Sequence, residues 1–395
     1  MTMTKIDSVR IRGFRSLADV ELSNLTNATV LIGANGSGKS NFIRFFDMLS
    51  WMLRRQFGEF VERCGGADDQ LYGGNITTPR IQAEITVDRD ESDAPLLVYD
   101  FALSYAQPDR LIFTEEAVGA GSEGFWEPIG RFPIGSGGHR EAEIVEAAQS
   151  VNPPAQIAQQ IERVIQQLEQ SYAKAYAKVI LGLLRSCSVY QFHDTSDSSN
   201  FKKRWDAEDN NTLHTHGGNL AAVLHRLEHE DIKRFETICR HISRVLPVFD
   251  RFQIEESYGK VSLRWKAKDM DKTFGAHLTS DGSLRFFALV TLLNLPPQML
   301  PDVLLLDEPE LGLHPAAIAL VGGMIKALAE KKQVIVATQS PLLVDAFDLN
   351  EIVVVELRDG QTQFKRLDPD AYRVWLDDNF TTGELWQKNL LGGRP

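Results

Sequence analysis

Residues 33–40 read Gly-Ala-Asn-Gly-Ser-Gly-Lys-Ser and match the spacing G-x-x-x-x-G-K-[ST]. That spacing suits a loop that holds phosphate. Its glycines let the main chain wrap close to an anion, so that several N–H groups point inward. A helix starting near Lys39 adds its positive dipole end to the same anion. Lys39 supplies a mobile cation for β- and γ-phosphates, and Ser40 a hydroxyl for Mg²⁺. The residues expected around the phosphates are therefore Asn35, Gly36, Ser37, Gly38, Lys39, Ser40 and Asn41. Far downstream, the apolar run Val303–Leu306 ends in Asp307 and Glu308. An acid at the end of a strand beside a phosphate loop can hold Mg²⁺, which is the role expected of Asp307. Glu308 is then placed to orient or deprotonate an attacking water. Alone, this pair could be a solvated acidic turn; the phosphate loop upstream favours the chemical reading.

Elements must position these residues. Thr29–Ile32 is a short apolar run of the buried-strand kind, and Phe42, Ile43, Phe45, Phe46 and Leu49 follow the loop at helical spacing. Before them, residues 5–12 alternate polar and apolar and predict an edge or outer strand. Strands at 81–87, 96–105 and 110–116 predict an antiparallel meander, and the Gly- and Pro-rich stretch 119–140 an irregular loop. Pro153 and Pro154 open a long helical pattern over 155–185, roughly 45 Å at 1.5 Å per residue. It reads either as a stub of coiled-coil arm or as a helix lying on the body. The apolar repeat lasts only about three heptads, which favours the packed helix. A short strand is expected at 188–192, an amphipathic helix at 231–246 and strands at 252–256 and 260–268. From there strands and helices alternate: helix 282–295, strand 303–306, helix 315–329, strand 334–337, helix 341–347, strand 352–356. That alternation implies a mostly parallel sheet covered by helices.

Composition fits an ordinary soluble globular protein, with 43% hydrophobic and 24% charged residues in 395. No apolar run approaches a membrane span, and the N-terminus lacks a signal-peptide core. The three dispersed cysteines fit a reduced cytoplasmic chain better than a disulfide scaffold or a zinc site. The net charge of −12 argues against non-specific coating of nucleic acid, though it leaves room for a local basic groove.

Several motifs together resemble the ABC-type ATPases of the RecF, Rad50, SMC and OLD branch. Glu308 followed by Pro309-Glu310-Leu311-Gly312-Leu313-His314-Pro315 is similar to their acid pair and D-loop. Leu278-Thr279-Ser280-Asp281-Gly282-Ser283-Leu284-Arg285 resembles their signature, and Thr338-Gln339-Ser340-Pro341 sits where their switch histidine lies. Phe14-Arg15-Ser16-Leu17 and Gly383-Glu384-Leu385-Trp386 with the ending Leu391–Pro395 resemble a set of stand-alone bacterial ATPases of this class.

The resemblance implies an α/β fold, an ABC-type head with a mostly parallel sheet flanked by helices and an antiparallel β subdomain. It divides the chain into an N-terminal lobe (1–118), a mainly helical insertion (119–250) and a C-terminal lobe (251–395) with signature, acid pair and switch. It implies ATP and Mg²⁺ as ligands, Lys39, Glu308 and Gln339 as catalytic residues, and Ser40 and Asp307 on the metal. Ser280, Asp281 and Gly282 would contact the γ-phosphate held by a second copy, so that two heads sandwich two nucleotides. The expected product is a slowly turning ATPase, since glutamine at the switch cannot carry a proton. Its head closure, in a dimer or a larger assembly, would control a separate effector in DNA repair or anti-phage defence, with DNA a candidate partner and no membrane. The chain is expected to lack room for a C-terminal TOPRIM nuclease. A non-hydrolysing ATP- or DNA-sensing scaffold, and less so a transporter subunit, stand as alternatives.

Other groups point less far. Gln82 is a candidate for the glutamine that ABC ATPases carry between loop and insertion, although a structural strand glutamine is the plainer reading. His193-Asp194, His214 and His216, Asp269-Met270-Asp271 and Lys202-Lys203-Arg204-Trp205 all read better as solvated loop residues than as metal, nuclease or nucleic-acid sites.

Overall fold

The computed structural model describes residues 3–90, 94–121, 130–134, 137–149, 160–378 and 380–394. The chain folds into two compact units, each drawn from separated stretches.

The first unit takes Met1–Asn27, Asn35–Ser188 and Val355–Lys365. Its sheet is antiparallel, with β1 (Lys5–Phe14), β2 (Leu17–Leu22), β4 (Arg80–Asp88), β5 (Leu96–Ala106), β6 (Arg110–Gly121) and β7 (Gly130–Pro133) in the order β2-β1-β4-β5-β6-β7. The alternation in β1 therefore marks a one-sided strand inside the sheet, not an edge; β2 is the edge. Alternation reports which face meets water, and both edge and interior strands of an antiparallel sheet have a wet face. The meander is present, and it continues into the stretch expected to be irregular: Gly119–Gly121 belong to β6 and Gly130–Pro133 form β7, while 122–129 lie outside the described residues. The dry face carries an aromatic core in which Phe45 contacts Phe14, Phe46 and Phe101. Phe14 is fully buried beside it. This core seats α1 (Lys39–Leu53), which buries Phe42, Ile43, Phe45, Phe46 and Leu49 as its spacing predicts. The short α2 (Phe57–Arg63) follows, and α3 (Ile144–Ala147) precedes α4 (Gln160–Arg185). α4 packs on α1, α3, β5 and β6, so its described part is a helix on the body; the predicted start at 155–159 lies outside the described residues.

The second unit takes Ala28–Ala34, Val189–Val354 and Arg366–Pro395. At its centre β3 (Ala28–Ile32) lies between β15 (Gln333–Thr338) and β16 (Ile352–Arg358), and β14 (Val303–Asp307) lies beyond β15. All three pairings are parallel. Every residue of β3, β14 and β15 is buried, as both faces of a helix-covered parallel sheet demand. β8 (Cys187–Tyr190) closes the β14 side. β17 (Gln361–Arg366) pairs with β16, and most of it counts with the first unit.

Around the sheet lie α5 (Leu220–Glu230), α6 (Ile232–Val245), α7 (Asp281–Leu293), α8 (Pro315–Ala329), α9 (Pro341–Val344), α10 (Pro369–Asp377) and α11 (Thr382–Gln387). The strand expected at 260–268 is instead two, β11 (Lys260–Val261) paired with β9 (Trp205–Asp206), and β12 (Arg264–Ala267) between β10 (Phe249–Phe252) and β13 (Thr273–Gly275). Such short pieces are set by Phe249, Phe252, Trp265 and Phe287 packing together, not by a local period.

Candidate functional site

In the second unit the strand register sets one edge. Asp307 aligns with Ala337, and Ala337 with Leu31. Thr338 aligns with Ile32, so Gly33 leaves β3 at the edge where Asp307 ends β14. The start of the phosphate loop and the acid pair thus share one row of strand ends, where open parallel sheets place ligands.

Each acid there has a glutamine. Gln191, just after β8, donates its side-chain amide to Asp307 Oδ2 at 2.9 Å. Gln339 donates its side-chain amide to Glu308 Oε1. Glu308 itself has φ +46°, a left-handed conformation that costs a non-glycine residue about 1–3 kcal/mol. The turn is held by Glu308 N–H to Ala337 O (2.8 Å) and Leu311 N–H to Glu308 O (3.1 Å). Behind it, Glu310 accepts from the Thr338 hydroxyl (2.6 Å) and from Gln339 N–H (2.8 Å). Burial holds the Glu310 carboxyl above its ordinary pKa, against those two hydrogen bonds and with the charge of Glu308 adding to the rise.

The signature residues open α7. Ser280 is exposed and is the N-cap, accepting from Ser283 N–H at 3.3 Å; Asp281 is exposed in the first turn. Gly282 has no room for a side chain, since a Cβ would stand 2.4 Å from the Gly312 carbonyl oxygen. Arg285 donates to Phe192 O (3.1 Å), His193 O (2.9 Å) and Leu311 O (3.2 Å). It therefore ties α7 both to the turn after the acids and to the segment after Gln191.

In the first unit, Gly36 and Gly38 have φ of +77° and +107°, and Gly38 is the N-cap of α1. Lys39 and Ser37 are buried, while Asn35, Gly36 and Ser40 are exposed and Asn41 is partly so. Asn41 donates to Ser16 Oγ at 2.8 Å.

Gln191 was invisible to sequence reasoning. It follows an apolar strand, but nothing local ties it to an acid 116 residues away. Gln82, the earlier candidate, lies mid-sheet in β4, opposite Arg12 and Ala102, with an exposed side chain. In the basic run, Lys202 pairs with Asp197, Lys203 with Asn200, and Arg204 with the Ser257 carbonyl, while Trp205 lies in β9. Among the described residues no group of three or more His, Cys, Asp or Glu side chains is gathered as a metal site would need. None of their helices is long and apolar enough to cross a membrane.

A family model described as "AAA ATPase domain" matches residues 4–234. A second, for an AAA domain and naming the AbiEii toxin and a Type IV TA system, matches 169–345. Over 72 residues the chain is 39% identical to the DNA replication and repair protein RecF of Anaeromyxobacter dehalogenans (strain 2CP-C); the match spans 18% of this chain and 19% of that protein. An SMC head solved bound to the C-winged helix domain of ScpA aligns over 93% of this chain and 99% of its own, at 17% identity and TM-score 0.55. SMC heads from Pyrococcus furiosus (15%, TM-score 0.51) and Pyrococcus yayanosii (14%, TM-score 0.52) each align over 95% of this chain and 100% of their own. At these identities the agreement is one of fold.

Proposed function

Because the chain belongs to the AAA ATPase domain family, we propose that it is an ATPase of the SMC and RecF type that binds and slowly hydrolyses ATP and uses nucleotide-driven pairing of two copies to control a partner protein. One observation carries this reading: Gly33, Asp307 and Glu308 stand on one row of strand ends, with each acid held by a glutamine amide.

In this reading Asn35–Asn41 cradle the phosphates and Lys39 neutralises them. Mg²⁺ is assigned to the Ser40 hydroxyl and the Asp307 carboxylate, an all-oxygen set suited to that hard cation. When bound, Mg²⁺ supplies positive charge against the phosphates. Glu308 takes the proton of the attacking water, and Gln339 fixes the direction of its carboxylate. Because Gln339 cannot become charged, turnover is slow, as suits a switch. Ser280, Asp281 and Gly282 face the γ-phosphate of a second copy; the exposure of Ser280 and Asp281 supports this. We keep 1–118, 119–250 and 251–395 as lobe, insertion and lobe, and place the protein in the cytoplasm. The RecF relative is a DNA replication and repair protein, which supports DNA repair by analogy alone, and anti-phage defence stands beside it only as what the sequence resemblance implies.

Phosphate release tests the reading, measured with and without DNA. We expect release that saturates in ATP and is lost in Lys39→Ala. Glu308→Gln should bind ATP without releasing phosphate and run as a dimer. Absence of release in wild type would favour a non-hydrolysing scaffold. A Glu308→Gln monomer in saturating ATP and Mg²⁺ would remove the pairing step.

A further inference from the structure

The phosphate loop is braced by a threonine that lies far from it in sequence. Thr362, in β17, is 1% exposed. Its Oγ1 donates to the Ser37 carbonyl at 2.9 Å, across 325 residues. The same oxygen lies 2.8 Å from Ser16 Oγ, which accepts from Asn41 Nδ2 at 2.8 Å. Thr362 N–H donates to the Ser16 carbonyl at 2.9 Å. A hydroxyl has one proton to give. Thr362 gives its own to Ser37, so Ser16 must donate to Thr362 while accepting from Asn41. The direction of every bond in the chain Asn41, Ser16, Thr362, Ser37 is therefore fixed.

The geometry of the peptide group extends the argument. In a trans peptide the C=O of Ser37 and the N–H of Gly38 point in opposite directions. Holding the carbonyl on Thr362 turns the Gly38 N–H to the other side of the loop. Gly38 is also the one residue type that fits, because a Cβ there would stand 1.9 Å from Thr362 Oγ1 and its φ is +107°.

We propose that Thr362 is a positioning residue for nucleotide binding: with Ser16 it fixes the Ser37–Gly38 peptide so that the Gly38 N–H is presented to phosphate. This rests on the reading of residues 33–40 as a nucleotide site, and the test separates the two. In the full chain with Mg²⁺, Kd for a fluorescent ATP analogue and KM and kcat for phosphate release are measured. Melting temperature is recorded without nucleotide. Thr362→Val keeps the shape and removes the donor. It should raise Kd and KM about three- to ten-fold, the worth of one neutral hydrogen bond, with kcat little changed. Thr362→Ser should restore wild-type binding, and Ser16→Ala, which frees the hydroxyl to rotate, should weaken binding by less. A Thr362→Val protein that melts lower but binds as tightly as wild type overturns the proposal. Should Thr362→Val fail to fold, wild-type affinity in Ser16→Ala overturns it instead. If wild type binds no nucleotide, or Lys39→Ala binds as well as wild type, the phosphate-loop reading fails first and takes Thr362 with it.

Discussion

Gln191 supports Asp307 with a single amide hydrogen bond of 2.9 Å, and outer-shell partners of this kind commonly set metal affinity by about ten- to a hundred-fold. Gln191→Ala should therefore raise the Mg²⁺ concentration for half-maximal phosphate release by roughly that factor, with ATP affinity in excess Mg²⁺ much less affected. An unchanged Mg²⁺ titration would show that Asp307 needs no such support. A second residue makes a prediction about pH. Burial, reinforced by the charge of Asp100 across the strand, raises the Glu84 carboxyl from 4.5 to about 7. The folded chain thus holds this proton more tightly than the unfolded chain. The stability this lends is full below pH 4.5 and is lost as pH rises through about 7. Glu84→Gln keeps a neutral group at every pH, so it should melt with wild type near pH 4.5 and above it at about pH 8. Equal melting at both pH values would mean that Glu84 titrates normally. Both residues were beyond reach of the sequence: Gln191 meets Asp307 only once the chain is folded, and Glu84 owes its shift first to burial and then to Asp100 on the neighbouring strand.

At the scale of elements, α9, which follows Gln339, is held by α11. α11 packs on α9, with Gly383 N–H donating to Asp345 Oδ1 at 2.7 Å. Gly383 is obligatory there, because a Cβ would stand 2.4 Å from the Pro341 carbonyl. Trp386 is fully buried and its indole donates to Gly393 O at 2.8 Å. Trp386→Ala should cost about 3–5 kcal/mol of stability, read by denaturant unfolding. If α9 also orients Gln339, turnover should fall in the protein that remains folded. A loss below about 1 kcal/mol would mean that the tail is merely laid on the surface. The elements that sequence could reveal share a feature. α1, α8, β14 and β15 each bury a continuous stripe or run, so their own residues carry the signal. β17 went unseen because Gln-Thr-Gln-Phe-Lys-Arg shows little apolar pattern. It is a strand because β16 offers it an edge, and it carries the buried Thr362. The acid pair and phosphate loop could be proposed from the sequence because such chemistry would demand fixed spacing, whereas the side chains that touch them can come from anywhere that folding brings near.

For the molecule as a whole, nucleotide and self-association should be visible in stability. A ligand that binds only the folded state stabilises it by RT ln(1 + [L]/Kd), about 2.7 kcal/mol at a hundred times Kd. For a chain of this size that is a rise of several degrees in melting temperature. Such a rise alone reports binding and is independent of protein concentration. Pairing adds a second dependence, because mass action couples unfolding to dissociation of the pair. The net charge of −12 opposes bringing two copies together, so pairing should strengthen with added salt, as like charges are screened over about 10 Å at 0.1 M. In Glu308→Gln with ATP and Mg²⁺, melting temperature should climb with each tenfold increase in protein concentration, more so in moderate salt. Without nucleotide it should stay flat. Lys39→Ala should be flat under both conditions. A nucleotide-dependent rise that ignores protein concentration would keep ATP as a ligand and discard the paired state. The control of a partner would then have to come from a change within one copy.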